Sequence, residues 1–148
     1  MHLMLTVLVE PEHAGSEAKR QERVDQLMEP YGDLFEVPPY EADCWEDEHD
    51  EECCNGTLTV WTTLNPYPTW DWYQFVGPDS PRGGDLIAGE WPSFALLLPG
   101  GGWSDWDTFY GRTVHFHEDV PEWENAFRAT VRSYTERRYV PVLVDYHC

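Results

Sequence analysis

His2-Leu3-Met4-Leu5-Thr6-Val7-Leu8-Val9-Glu10 is the stretch whose reading decides the fold. In an extended chain successive side chains point to opposite faces. Leu3, Leu5, Val7 and Val9 then share one face, and Met4, Thr6 and Leu8 share the other. Both faces are largely apolar, and Thr6, Val7 and Val9 are β-branched, which suits a strand. A strand apolar on both sides is expected at the centre of a sheet, buried on both faces. Pro11 and Gly15 end it.

Working outward, Ser16 suits a helix N-cap and Glu17 the first turn. Val24, Leu27, Met28 and Tyr31 fall at i, i+3, i+4 and i+7, which predicts an amphipathic helix over about 17–29. Pro30 and Gly32 close it. A second helix is expected over 120–138, where Trp123, Phe127, Val131 and Tyr134 recur at steps of four, four and three. Pro121 fits its first turn, and Arg137 and Arg138 fit its C-terminus. Strands are expected over 57–63 (TLTVWTT), 69–76 (TWDWYQFV), 113–117 and 139–146 (YVPVLVDY). The first two of these are expected to pair as a hairpin across Asn65-Pro66-Tyr67-Pro68. Residues 86–98 are mixed, and about 33–56 reads as one long acidic loop. The order predicts a single α+β domain over 1–148: a mixed sheet with two main amphipathic helices packed on one face.

A chain of 148 residues can bury a real core. With 41% apolar and 15% aromatic residues, disorder throughout is excluded. No apolar run approaches 18 residues, and the N-terminus lacks the marks of a signal peptide. A soluble protein of the cytoplasm is therefore expected.

Charge is the strongest functional signal. There are 28 Asp and Glu against nine Lys and Arg, a formal net charge of −19. Direct binding to nucleic acid or to an anionic membrane needs the opposite balance. A basic protein surface, of the kind that normally holds DNA or RNA, is the natural partner. Val24 to Pro81 holds no Lys or Arg but 14 acidic residues. Eight of them, Glu41, Asp43, Glu46, Asp47, Glu48, Asp50, Glu51 and Glu52, fall within twelve positions around Trp45. Those carboxylates are the candidate phosphate surrogates, and Trp45 is the nearest apolar anchor. The bland alternative is a solvated acidic face that only maintains solubility.

Chemistry-bearing patterns are weak. Cys44, His49, Cys53 and Cys54 could form a zinc site, but an adjacent Cys pair fits a tetrahedral site poorly. Free thiols in a reducing cytosol are the alternative, and no cofactor is expected. His115 and His117 share one side of their expected strand, as a metal pair would, without a third ligand. Asp71, Asp105 and Asp107 lie among Trp70, Trp72, Trp103 and Trp106, as paired acids do in sugar-processing sites. Nothing fixes two of them at a working distance. No P-loop, dinucleotide motif, nucleophile elbow or zinc-protease motif is present, so no catalytic residue is expected.

The opening LTVLVEP, Cys53-Cys54-Asn55-Gly56-Thr57 with Asn65-Pro66 and Trp70-Asp71-Trp72-Tyr73, Gly83-Gly84 and the closing VLVDYHC together carry a resemblance. The chain resembles a group of small proteins encoded by bacteriophages and prophages of Gram-positive bacteria, most specifically in its Asn-Pro…Trp-Asp-Trp-Tyr segment. Members commonly carry CxxC and Gly-Gly-Arg-Trp elements. Here those positions hold Cys53-Cys54 and Arg82-Gly83-Gly84-Asp85. The resemblance implies a phage context and carries over no catalytic residue. Together with the charge it points to a non-enzymatic inhibitor of a host defence protein, of the anti-CRISPR or anti-restriction type, acting in the bacterial cytoplasm. A phage accessory or structural protein, or a small zinc-binding domain, is the alternative.

Overall fold

The computed structural model describes residues 1–43, 59–77, 86–109 and 121–148. In chain order the elements are β1 (His2–Val9), α1 (Glu17–Met28), β2 (Tyr40–Asp43), β3 (Thr59–Thr62), β4 (Trp72–Phe75), β5 (Ala95–Leu97), β6 (Trp103–Asp105), α2 (Trp106–Phe109), α3 (Pro121–Thr135) and β7 (Val140–His147). Strand β1 is the middle one of a five-stranded sheet ordered β4-β7-β1-β5-β6. It runs parallel to β5 and antiparallel to β7. Strands β4 and β6 pair antiparallel with β7 and β5 at the two edges. The sheet is mixed and the class is α+β. Leu5, Thr6, Val7, Leu8 and Val9 are all fully buried, as a strand apolar on both faces requires.

The two faces have different covers. Leu5, Val7 and Val9 join Val144, Tyr146, Ala95 and Leu97 against Val24, Leu27 and Met28 of α1. Leu8 and Leu96 pack instead against Trp123, Phe127 and Val131 of α3. The main helices therefore sit on opposite faces of the sheet, not on one face as expected. The reason lies in β1, whose even-numbered side chains need their own apolar partners.

Local signals set most boundaries. Ser16 caps α1, its hydroxyl accepting from the Lys19 amide at 3.2 Å. Helix α3 ends at Thr135, three residues before the expected end, because Arg138 takes a left-handed conformation with φ 68°. The Arg137 guanidinium then lies 4.4 Å from the centroid of the Tyr134 ring. Gly89 also has positive φ, +85°, and lies where α3 meets β7. A Cβ there would come within 2.8 Å of Pro141 Cγ and 3.3 Å of Val131 Cγ1. Gly89→Ala combines backbone strain with a clash, and is expected to remove about 1–3 kcal/mol of stability in a denaturant titration.

Two pairings differ from expectation. Strands β3 and β4 do not form a hairpin. Strand β3 pairs with β2 in a separate two-stranded ribbon, and β4 pairs with β7. Pro66 and Pro68 carry the chain away from the ribbon, and Trp70 then bridges to Gly32. Trp72–Phe75 finds its cross-strand partners in Val144, Asp145, Tyr146 and His147. Within the expected acidic loop over 33–56, Tyr40–Asp43 is a strand. Residues 44–56, and the strand expected over 113–117, lie outside the described residues.

Candidate partner-binding face

The β2–β3 ribbon owes its two-sidedness to plain alternation. Glu41 lies opposite Trp61, and Asp43 opposite Thr59. Directly opposed residues of an antiparallel pair share a face. One ribbon face therefore presents Glu41, Asp43, Thr59 and Trp61, all exposed. The other carries Tyr40, Ala42, Val60 and Thr62, all half-buried. Trp61 is 69% exposed, a large apolar surface for a strand residue.

Hydrogen bonds extend the ribbon and tie its end to the turn after α1. The Val37 amide donates to Thr63 O at 2.9 Å, and the Tyr40 hydroxyl donates to Leu64 O at 2.9 Å. Asn65 Nδ2 donates to Pro30 O at 3.1 Å and Gly32 O at 2.9 Å, tying the end of the ribbon to the turn after α1. Leu34, Leu64 and Tyr67, in the segments flanking the ribbon, are also exposed.

No Lys or Arg among the described residues neutralises Glu41 or Asp43. Arg23 is committed elsewhere, 2.7 Å from Glu10, and this pairing holds the Glu10 carboxyl below its ordinary range. Arg20 donates to Ala14 O, and Arg128 to Glu90 O. Of the eight carboxylates singled out in the sequence, Glu41 and Asp43 are thus placed side by side on an open face. Trp45, Glu46, Asp47, Glu48, Asp50, Glu51 and Glu52 lie outside the described residues, as do Cys44, His49, Cys53, Cys54, His115 and His117. Cys148 is exposed. Among the described residues no group of three or more His, Cys, Asp or Glu is arranged to hold a metal ion.

Trp61 is the exposed aromatic on this face that the sequence alone did not single out. Its signal was present, because TLTVWTT places Trp61 and Thr59 on one side. Finding it required knowing that β3 pairs with the acidic strand rather than with β4.

Among the acids that lie near tryptophans, Asp71 is kept apart from Asp105. Asp71 precedes β4 at one edge of the sheet, and Asp105 ends β6 at the other. Four inter-strand spacings separate those edges, about 19 Å at 4.8 Å each, against the 5–9.5 Å used by paired carboxylates in glycoside hydrolysis. Asp105 is used locally: it accepts from Trp103 Nε1 at 3.2 Å and from the Thr108 amide at 2.7 Å. Trp103 packs edge-on against Tyr146, and Trp106 packs against the α3 side of the core.

Asp71 instead accepts from His147 Nδ1 at 2.8 Å, which lowers its carboxyl pKa below the ordinary value. A second pair lies beside it. The buried Asp145 carboxylate takes His2 Nδ1 at 3.2 Å and Gln74 Nε2 at 3.1 Å. The His2 and His147 ring centroids are 5.2 Å apart. These contacts close the β4-β7-β1 end of the sheet and satisfy a carboxylate that could not otherwise be buried.

No helix among the described residues is long and apolar enough to cross a membrane. No protein-family model matches the chain, and no curated protein or solved structure matches it either.

Proposed function

We propose that the chain is a non-enzymatic, phage-encoded inhibitor acting in the bacterial cytoplasm. Its target is a basic, nucleic-acid-binding protein of host defence, of the anti-CRISPR or anti-restriction type. The single observation that supports this most is the ribbon face, where Glu41 and Asp43 flank an exposed Trp61 with no neutralising cation among the described residues. In the sequence, the acidic run Glu46 to Glu52 follows β2 after two intervening residues. Carboxylates on such a face steer a basic surface into encounter. A tryptophan among them supplies the desolvated contact that slows release. Charge alone gives fast, salt-sensitive binding, and an apolar anchor within it gives residence.

Capture on the immobilised chain from bacterial lysate at low salt tests the proposal. A basic nucleic-acid-binding protein is expected on the resin and is expected to be released by added DNA or RNA. A captured set that nucleic acid does not release would count against it. Trp61→Ala separates the two components of binding. Because Trp61 is exposed, stability should change by less than about 0.5 kcal/mol. Dissociation of the captured partner should quicken by about 30-fold or more, matching a hot-spot loss near 2 kcal/mol.

A further inference from the structure

Beside the ribbon, a groove of about 730 Å³ runs between the outer face of α1 and residues 32–36. Its floor is aromatic. Trp70 and Tyr73 meet edge-to-face with centroids 4.8 Å apart, and Phe35 lines the same space. The floor is fixed in place. Trp70 Nε1 donates to Met28 O at 2.9 Å, the Trp70 amide and carbonyl are tied to Tyr31 and Asp33, and the indole lies flush against Gly32. The Tyr73 hydroxyl donates to Asp25, and burial together with that bond pushes the phenol well above its ordinary range, so it stays a donor.

The rim is acidic. Glu22 and Glu29 stand on the α1 side, and Asp33 and Glu36 on the other. Among the described residues no Lys, Arg or His pairs with any of these four, and Arg23 between them in sequence is turned to Glu10. A rigid aromatic floor under an uncompensated carboxylate rim is complementary to one kind of side chain. Guanidinium is planar, stacks on aromatic faces and forks onto carboxylates, whereas ammonium is a compact, strongly hydrated charge.

We infer that this groove binds an arginine side chain from an extended basic segment of the partner protein, with Trp70 and Tyr73 beneath the guanidinium and Glu29, Asp33 and Glu36 around it. The identity of that partner rests on the function proposed above; the groove's preference for arginine does not. Residues 33–36, which line the groove, precede β2 by three residues in the chain.

Calorimetric titration of the intact chain with hexa-arginine and with hexa-lysine at low salt tests the inference. Hexa-arginine is expected to bind about 5-fold or more tighter, the ratio that about 1 kcal/mol of stacking and fork geometry gives. The rim variant Glu29→Gln/Asp33→Asn/Glu36→Gln is expected to lower hexa-arginine affinity about 10-fold and remove that preference. The ribbon variant Glu41→Gln/Asp43→Asn should retain the preference. Equal affinity for the two peptides, or a preference that survives in the rim variant, would overturn the inference. Capture of the partner from lysate is scored separately. Capture released by nucleic acid but indifferent to the rim variant leaves the proposed function standing and removes the groove from it. An arginine preference lost in the rim variant, with no nucleic-acid-sensitive capture, does the reverse.

Discussion

Converting Glu46, Asp47, Glu48, Asp50, Glu51 and Glu52 to their amides is expected to abolish partner capture and leave the fold intact. The substitutions remove six of the 28 acidic side chains and leave every residue of the described core unchanged. If each carboxylate contributes about 0.5 kcal/mol against a basic surface, the six together are worth about 3 kcal/mol, or more than 100-fold in affinity. Most of that loss should appear in the association rate at low salt and shrink as salt is added, because steering is screened within about 10 Å at 0.1 M. Thermal stability should hold or rise slightly, since the native chain carries a net charge of −19 and repels itself. Unchanged capture by this variant would move the binding surface away from the acidic run.

Trp123→Ala is expected to be the most damaging single change in the described core. The side chain is 5% exposed and packs against Phe127 and Phe109, with centroids 6.2 and 5.6 Å away. Its Nε1 donates to Ser93 O at 2.9 Å. Truncation opens a cavity and strands that carbonyl, at a cost of about 3–5 kcal/mol. That is a fifth or more of the stability of an ordinary domain and corresponds to a fall in Tm of about 10 °C. Trp123→Phe keeps most of the volume and forfeits mainly the hydrogen bond, so about 1–2 kcal/mol is expected. A loss below 1 kcal/mol for the alanine variant would mean that α3 does not cover the second face of the sheet.

Local chemistry made much of this fold legible. The apolar alternation of His2–Val9, the Ser16 cap and the 3–4 spacing in both helices are properties of neighbouring residues, and each element forms where they place it. What the sequence concealed was pairing at a distance. Thr59–Thr62 has two plausible partners, Tyr40–Asp43 and Trp72–Phe75, and its own residues do not choose between them. The choice is made by β7, whose Tyr146 and Val144 offer Tyr73 and Phe75 a buried face that β3 lacks. The placement of the helices was in principle readable. Leu8 and Thr6 of β1 point away from α1, so a second cover had to exist, and the Trp123–Phe127–Val131 stripe was the available one.

The candidate face was half legible for the same reason. Glu41 and Asp43 were visible as charges, but their neighbour Trp61 comes from 20 residues further along and reaches them only through the ribbon register. The aromatic groove was invisible in sequence, because Trp70 and Tyr73 meet carboxylates that belong to α1 and to Asp33–Glu36. The Asp145–His2 pair likewise joins the two ends of the chain, and the Asp71–His147 pair joins its middle to its C-terminus.

The most direct test of the central claim is a competition experiment on the captured partner. The native chain and the six-amide variant are titrated, in parallel, against the partner bound to its own DNA or RNA. The native chain is expected to displace the nucleic acid stoichiometrically, with an affinity that falls steeply as salt rises, while the variant displaces none. A partner that binds the native chain and its nucleic acid at the same time would contradict the claim that this acidic surface occupies a nucleic-acid site.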